Sequence, residues 1–278
     1  MTPATLTAKR LNLRKSWHCI LGSCNGLLLV HRLDDLRLVN PTTGKILKIP
    51  YFSDRYNDAY GVGYDSVTDD YKVITISRMT VPHSDPRSHF VNVYSLRNNS
   101  LSMFPICPYK QYDYHTPRGV LLNNILHWVV VRNGSETMTM VTFSLANEEF
   151  HEMELLESMK CSQDPFERSQ VFALGGKLVA VFKDHHKFFY EMWVMEEYGV
   201  PKSWTKLFMF ENNMDLAFEL FAQVSNRDIL LGINKANELF IYNMDERRCT
   251  SVAIEGCPEE YFFYNTSVES LESFEHFG

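Results

Sequence analysis

The sequence ALGGKLVAVFKDHHKFFYEMWVMEEYGVPKSWTKLFMF (residues 173–210) has the features of one small antiparallel sheet. Gly175 and Gly176 predict a tight two-residue turn, because glycine adopts the positive φ angles that such a hairpin needs. Apolar runs rich in β-forming residues follow at 177–182 and 188–195, and a further strand is expected at 204–210. Apolar residues in this segment do not recur at the 3.6-residue period of a helix over any extended stretch. Together with a strand before the Gly175–Gly176 turn, the segment therefore predicts a complete four-stranded unit.

The same unit recurs five times along the chain, which is the pattern of a repeat architecture. A turn precedes an apolar strand in each unit, with steps of 44, 54, 52 and 52 residues; the turns are Asn25–Gly26, Asp69–Asp70, Asn123–Asn124, Gly175–Gly176 and Arg227–Asp228. Equivalent positions on the next strand are 49 to 55 residues apart; they are Val39, Tyr94, Phe143, Trp193 and Tyr242. A third apolar strand then closes each unit. The predicted units are 17–50, 60–105, 118–156, 170–210 and 220–254.

The first two strands of each unit are nearly continuous apolar runs, as expected when a sheet is covered on both faces. Repetition of such antiparallel sheets predicts an all-β fold, a β-propeller of five blades within a single domain, residues 1–278. A β-sandwich is the alternative, although it would show cleaner alternation. Residues 261–271 are expected to form a closing strand that pairs with N-terminal strands. A sixth blade assembled from both ends is also left open.

Composition and charge narrow the classes of partner. The net charge of −7 argues against a nucleic-acid partner, which usually needs a basic face. The N-terminal region is basic and residues 249–278 hold no Lys or Arg, so the two ends either are solvated or meet in a closed fold. The sequence has neither a signal-peptide pattern nor a long apolar run, and its six cysteines lack zinc spacing. We therefore expect a cytoplasmic or nuclear protein with no membrane partner.

No set of residues predicts catalysis, a metal site or a cofactor. The acidic cluster at 65–70 lacks calcium-loop spacing and favours a hairpin turn, and 42–45 reads as a polar β-turn. His185 and His186 favour a solvated loop over a metal site. His127 favours a hydrogen-bonded strand residue over a catalytic one. No G-x-S-x-G motif is present, and the carboxylates of 151–157 are expected on a strand edge.

Two long connections between strands are the candidate binding regions, because function concentrates on loops. Residues 78–89 and 108–118 stand out, and Tyr and Arg are enriched at interface hot spots. The candidate partner-binding residues are Tyr109, Tyr112, Tyr114, His115 and Arg118, with Arg78, His83 and Arg87 in the first connection. The alternative is that these tyrosines pack on neighbouring blades.

From about residue 22 to 271 the chain resembles the F-box-associated domain of plant F-box proteins. The matching segments include GSCNGLLLV, VNPTTGKILKIP, YGVGYDSVTDDYKVITI and EMWVMEEYGVPKSWTKLF. The resemblance implies a β-propeller related to kelch repeats that recruits a target protein for ubiquitination by an SCF-type E3 ligase. The identity of that target is unknown.

One part of the family pattern is missing from this sequence. Members normally begin with a helical F-box that docks on a Skp-type adaptor, and the residues before 22 show no such helices. Binding to a Skp-type adaptor is therefore expected only if an F-box is supplied. A chain without it would instead compete for the target, which is kept as a variant of the recruitment role. The alternative from another class is a propeller enzyme resembling a sialidase or a copper oxidase.

Overall fold

The computed structural model describes residues 5–7, 19–32, 35–50, 57–78, 89–107, 109–110, 118–132, 138–156, 159, 170–184, 189–211, 218–223, 228–233, 238–243, 245–246 and 248–255. These residues form β-strands and turns, with a single 3₁₀ turn at Pro201–Ser203 among the named elements and no α-helix. No helix in this part of the chain is long and apolar enough to cross a membrane. The predicted all-β class is confirmed.

The first two sheets each contain four antiparallel strands in chain order. Sheet 1 consists of β2 (Cys19–Cys24), β3 (Leu27–Arg32), β4 (Asp35–Val39) and β5 (Ile46–Ile49). Sheet 2 consists of β6 (Asn57–Asp65), β7 (Asp70–Arg78), β8 (His89–Ser95) and β9 (Ser100–Cys107). Each strand pairs with the next, as in the predicted units.

Three further sheets follow in the described residues. Sheet 3 consists of β10 (Tyr109–Lys110), β11 (Val120–Leu122), β12 (Ile125–Arg132), β13 (Met138–Ser144) and β14 (Glu149–Met153). Sheet 4 consists of β15 (Gln170–Leu174), β16 (Lys177–Asp184), β17 (Phe189–Met195) and β18 (Trp204–Glu211). Sheet 5 consists of β19 (Phe218–Gln223), β20 (Asp228–Ile233), β21 (Glu238–Asn243) and β22 (Arg248–Glu255), joined by β1 (Thr5–Thr7).

The turns that open the units have the backbone conformation that their residues favour. Gly175 and Gly176 have φ of 56° and 75°, so both central positions are left-handed, as in a type I′ hairpin. Positive φ at both central residues also occurs in the turns 25–26 and 123–124. The turn of sheet 2 spans 66–69, and Asp70 already belongs to β7, so the predicted pair Asp69–Asp70 lies one residue late. Arg227 lies outside the described residues.

Successive sheets pack face to face, which is the arrangement of a β-propeller. On β3, Leu27 and Leu29 pack in a core shared with sheet 2, whereas Leu28 and Val30 pack on the opposite face. The cores between successive sheets contain Leu29 with Val73, Ile74 with Trp128, Met140 with Phe182, and Val181 with Tyr242. The first strands of neighbouring sheets contact one another in chain order: β2 with β6, β6 with β11, β11 with β15, and β15 with β19. The continuous apolar runs reflect this burial on both faces.

The first and the last of the described strands pair with each other in sheet 5. Strand β1 pairs in parallel with the outer strand β22, with Thr5 opposite Ala253 and Thr7 opposite Glu255. The N-terminal segment therefore adds a fifth strand to the last sheet. The predicted closing strand 261–271 lies outside the described residues and stays a prediction.

Replacing Leu6 with proline is expected to destabilise the domain. Proline removes the backbone donor of the central residue of β1 and prevents regular pairing with Ile254. Loss of one or two ladder hydrogen bonds corresponds to about 1–2 kcal/mol of unfolding free energy. Urea denaturation of the wild-type chain and of the Leu6→Pro and Pro3→Ala variants measures the effect. Equal midpoints for all three would show that β1 contributes nothing to stability.

Candidate functional site: an interrupted strand between the second and third sheets

The connections of each sheet lie alternately at its two ends, because consecutive strands run antiparallel. The turns 66–69 and 96–99 of sheet 2 share one end, which we call the turn end. The opposite end, the loop end, is where Arg78 pairs with His89 and His89 pairs with Cys107. Both candidate connections, 78–89 and 108–118, therefore start from neighbouring strand ends at the loop end of sheet 2.

The first strand of sheet 3 is split into two pieces. Strand β10 pairs with the far end of β12, with Lys110 opposite Val131. Strand β11 pairs with the beginning of β12, with Val120 opposite His127. Nine residues, 111–119, therefore connect Lys110 to Val120. Their partners on β12, Val131 and His127, are separated by only three residues, 128–130. The chain holds six residues more than uninterrupted pairing requires. Residues 111–119 are thus an insertion within a strand, and Tyr109 belongs to β10 rather than to a loop.

The second end of the insertion is fixed to the neighbouring sheet. Arg118 forms an isolated parallel bridge with Tyr60 of β6. The amide of Gly119 donates to the carbonyl oxygen of Tyr60 at 2.6 Å, and Trp128 Nε1 donates to the same oxygen at 3.1 Å. A Cβ atom at position 119 would lie 2.6 Å from the indole of Trp128, so the close approach requires glycine. The insertion therefore begins on sheet 3 and ends on a contact with sheet 2.

The structure places three of the eight candidate residues. Tyr109 lies in β10, Arg78 ends β7, and Arg118 is half-buried at the bridge to Tyr60. The other five lie outside the described residues; they are His83, Arg87, Tyr112, Tyr114 and His115. The pairing brings Tyr109 and Arg118 to the two ends of one insertion. A binding role for these residues stays a prediction.

A buried ionic cluster, which we call the Lys72 cluster, joins sheets 2 and 3 at the turn end. The ammonium of Lys72 donates to the carbonyl oxygen of Leu145 at 2.6 Å, and it lies 2.9 Å from Glu148 and 3.3 Å from Asp65. The side chain of Lys72 is 6% exposed and that of Asp65 is fully buried. Because the charges are paired and hydrogen-bonded, their burial is tolerated. Sequence reasoning missed this cluster, since Lys72 stands inside an apolar strand.

Further polar contacts hold Asp65 in its charged form. Burial opposes ionisation of Asp65, but hydrogen bonds from the Thr68 hydroxyl, the Val67 amide and Lys72 outweigh it and lower the pKa of the carboxyl. Asn124 of sheet 3 donates to the Asp65 carboxylate at 3.2 Å. The seam between sheets 2 and 3 is thus fixed by the Lys72 cluster and by the Trp128–Tyr60 contact. The insertion emerges from a rigid junction.

The comparison with family models identifies this architecture. A model described as the F-box associated beta propeller domain matches residues 3–276. The chain belongs to that family. This confirms the resemblance seen in the sequence, and it covers the insertion and both sheets that hold it.

Curated relatives of this F-box associated propeller come from Arabidopsis thaliana. The chain is 28% identical over 271 residues to F-box protein CPR1 and 28% identical over 264 residues to F-box protein At4g22390, with 87% and 85% of this chain covered. It spans 65% and 64% of the lengths of those two proteins. F-box/kelch-repeat protein At3g23880 is 25% identical over 274 residues, covering 92% of this chain and 70% of that protein.

His127 of this F-box associated propeller is a buried structural histidine. Its Nδ1 lies 3.1 Å from the carbonyl oxygen of Val120, and its Nε2 lies 2.9 Å from the hydroxyl of Tyr198. A carbonyl only accepts, so Nδ1 carries the proton and Nε2 accepts from Tyr198. Burial lowers the pKa of His127 to about 4. The interpretation as a hydrogen-bonded strand residue is confirmed, and the ring links β11 to sheet 4.

We expect His127 to make the stability of the domain depend on pH. The pKa is about 4 in the folded state against 6.5 ordinarily, so the unfolded chain binds the extra proton between these values. The contribution of neutral His127 to the unfolding free energy is complete above pH 6.5 and decreases as the pH falls toward 4. Between pH 7 and pH 5 the unfolding free energy therefore falls by about 2 kcal/mol. Urea denaturation at both pH values measures the loss. A His127→Gln variant that loses as much stability as wild type over this range would contradict the assignment.

The acidic residues of the sheet 2 turn are engaged within the fold. Asp70 accepts from the Ser95 hydroxyl at 2.6 Å and from the Arg97 amide at 2.8 Å, and Asp69 accepts from the Tyr64 hydroxyl. Within the described part of the chain, no group of three or more His, Cys, Asp or Glu side chains is arranged to hold a metal ion. The hairpin-turn interpretation of residues 65–70 is confirmed.

Two other interpretations from the sequence are confirmed. Residues 42–45 are part of a turn in which the Asn40 side chain accepts hydrogen bonds from the amides of Thr42 and Thr43 at 2.8 and 3.0 Å. The edge-strand interpretation of 151–157 is confirmed for Glu152, which is exposed on β14, the edge strand of sheet 3; Glu154 follows that strand, and Glu157 lies outside the described residues. Cys24 is a buried free thiol, and burial raises its pKa to about 11, which suits a core residue rather than a nucleophile.

Proposed function

We propose that this propeller is the target-recognition part of an SCF-type E3 ubiquitin ligase. The observation that carries the proposal is the family match over residues 3–276, together with relatives that are named as F-box proteins. The propeller would hold a target protein while the other ligase subunits transfer ubiquitin. Docking on a Skp-type adaptor is assigned to an F-box and not to the propeller. A cytoplasmic or nuclear location accompanies this role.

The proposed target-binding surface is the loop end of sheets 2 and 3. The register supports it, since 78–89 and 108–118 leave neighbouring strand ends and the insertion is held at Lys110 and Gly119. A binding segment whose ends are held by the fold loses less entropy on binding than one without anchors. The residues proposed to contact the target are Arg78, His83, Arg87, Tyr109, Tyr112, Tyr114, His115 and Arg118.

We further propose that the five described sheets are the five blades of one domain. Their strands fall close to the repeat units 17–50, 60–105, 118–156, 170–210 and 220–254. Two observations support ring closure. The face of sheet 1 that points away from sheet 2 is buried at Leu28, Val30 and Val39. Strand β1 joins the first part of the chain to β22.

The recruitment proposal is tested with the triple variant Tyr109→Ala, Tyr112→Ala, Tyr114→Ala. The wild-type chain, fused to an F-box, is expected to capture a protein from plant extract and to support its ubiquitination by reconstituted ligase. The triple variant is expected to keep its melting temperature and to lose that protein. Val67→Ala, at the exposed turn end of sheet 2, is the control and should behave as wild type.

Two outcomes would count against this assignment. If the triple variant unfolds, the tyrosines pack on neighbouring blades instead of contacting a target. If the captured protein binds but is never ubiquitinated, with the F-box fused and ligase supplied, the recruitment role is wrong.

A further inference from the structure

The last strand of each of sheets 1 to 4 is an edge, and charged side chains protect most of these edges. In sheet 5 the last strand, β22, is covered by β1. Edge strands of soluble proteins carry charge because an unprotected row of backbone donors and acceptors invites pairing with another strand. Among the described residues, three of these four edges follow this rule: β5 holds Lys48, β14 holds Glu149 and Glu152, and β18 holds Lys206 and Glu211.

Strand β9 departs from the rule. Its sequence, SLSMFPIC, contains no ionisable Lys, Arg, Asp, Glu or His. Met103 is 47% exposed and Phe104 is 39% exposed. Met103 lies on the same face of the sheet as Leu101, which packs against the core toward sheet 1. Phe104 lies on the opposite face, because side chains alternate along a strand. Apolar side chains are thus presented on both faces of this edge. Within the described residues β9 pairs with β8 alone.

This chain already uses one of its sheet edges to bind an additional strand. Strand β1 adds to β22, the last strand of sheet 5, which occupies the position in its sheet that β9 occupies in sheet 2. The added strand pairs through three consecutive residues, Thr5–Thr7. The outer edge of this architecture therefore accepts a fifth strand.

We propose that the edge of β9, residues 100–104, binds an uncharged extended segment of a partner protein as an added β-strand. This edge is not part of the insertion in sheet 3, and the proposal does not depend on a role in ubiquitination. Main-chain hydrogen bonds supply the affinity in this mode of recognition, and alternate side chains supply the specificity. The absence of charge on this edge favours an uncharged partner segment. A charged partner side chain packed against Met103 or Phe104 would lose its hydration without gaining a counterion.

Pro105 sets the length of the docking site. Proline has no amide donor, and the register of β8 and β9 shifts between His89 and Phe90, opposite Cys107 and Pro105. The regular edge thus runs from Ser100 to Phe104. A partner segment of about five residues with apolar side chains at alternate positions matches this length.

The test uses a fluorescent peptide of five alternating Val and Thr residues with a solubilising Lys tail outside the pairing segment. Binding by the full chain is measured by fluorescence anisotropy, and hydrogen exchange locates the protected amides. Met103→Lys is expected to weaken binding at least tenfold, since it places on β9 the kind of charge found on the other edges. Ile46→Lys is the matched control, because Ile46 is 42% exposed on edge strand β5, and its affinity should stay within twofold of wild type.

A second peptide with Glu at the alternate positions should bind at least tenfold more weakly than the Val peptide. The proposal is overturned if the Val peptide does not bind, if Met103→Lys and Ile46→Lys reduce binding equally, or if protection appears away from residues 100–104. Protection of these amides before peptide is added, with or without a dimer on size-exclusion chromatography, would also overturn it. The edge would then be filled by a second copy or by the chain itself.

Discussion

Replacing Lys72 with alanine is expected to reduce the unfolding free energy by about 3–5 kcal/mol, the cost of leaving a buried charge without its partner. Asp65 is fully buried, and Lys72 supplies its counterion at 3.3 Å. The carbonyl oxygen of Leu145 loses its 2.6 Å donor in the same variant. Sheets 2 and 3 are thereby weakened together. Urea denaturation at pH 7 measures the effect.

The matched control for Lys72 is Lys177, which pairs with Glu196 on the surface of sheet 4. Both partners there are close to half exposed, at 46% and 47%, so solvent screens the interaction. Lys177→Ala is expected to change stability by less than about 1 kcal/mol. The double variant Lys72→Met, Asp65→Asn should recover part of the loss because it buries no net charge. Equal losses in Lys72→Ala and Lys177→Ala would mean that the Lys72 cluster is not buried in solution.

Replacing Trp128 with alanine is the second change with a large expected effect, about 3–5 kcal/mol of destabilisation. Trp128 is 1% exposed and belongs to the core between sheets 2 and 3. Its indole packs against Gly119 and donates to the carbonyl oxygen of Tyr60. The variant therefore leaves a cavity and loosens the anchor of the insertion. Thermal and urea denaturation, followed by hydrogen exchange at residues 118–122, measure both consequences.

Trp128→Phe separates packing from hydrogen bonding. Phenylalanine keeps a ring in the core but cannot donate to Tyr60, whose carbonyl oxygen retains the Gly119 donor at 2.6 Å. We expect Trp128→Phe to lose less than half of what Trp128→Ala loses. If Trp128→Ala and Trp128→Phe were both as stable as wild type, residues other than Trp128 would have to stabilise the contact between sheets 2 and 3.

The repeating sheets could be predicted because local rules and burial agree in this chain. The pairs Asn25–Gly26 and Gly175–Gly176 mark turns whose φ angles require such residues. The strands behind them are apolar on both faces, and the structure buries both faces, as with Leu27 and Leu28. The predicted turn of sheet 2 lies one residue late, because Asp65 and Asp70 flank a four-residue turn that no glycine marks.

The junction that supports the candidate site could not be predicted in the same way. Lys72 lies between Tyr71 and Val73 in an apolar run, and its partners Leu145 and Glu148 are more than seventy residues away. The split strand could not be predicted from the sequence, because Tyr109 and Lys110 follow a proline and resemble part of a loop. Only the structure shows the interruption: the strand before the turn at 123–124 is three residues long, whereas β15 has five and β6 has nine.

The pairing of β1 with β22 also constrains how the chain reaches its folded state. Thr5 and Ala253 are 248 positions apart, so β1 can pair only after nearly all of the other described strands have been synthesised. Sheets 1 to 4 have local strand pairing and can form in order while synthesis continues. The slow step is then the closure of one long loop, which is entropically costly until the final sheet is complete. During that interval β22 and the unpaired β1 are the segments where a chaperone or a second nascent chain would bind.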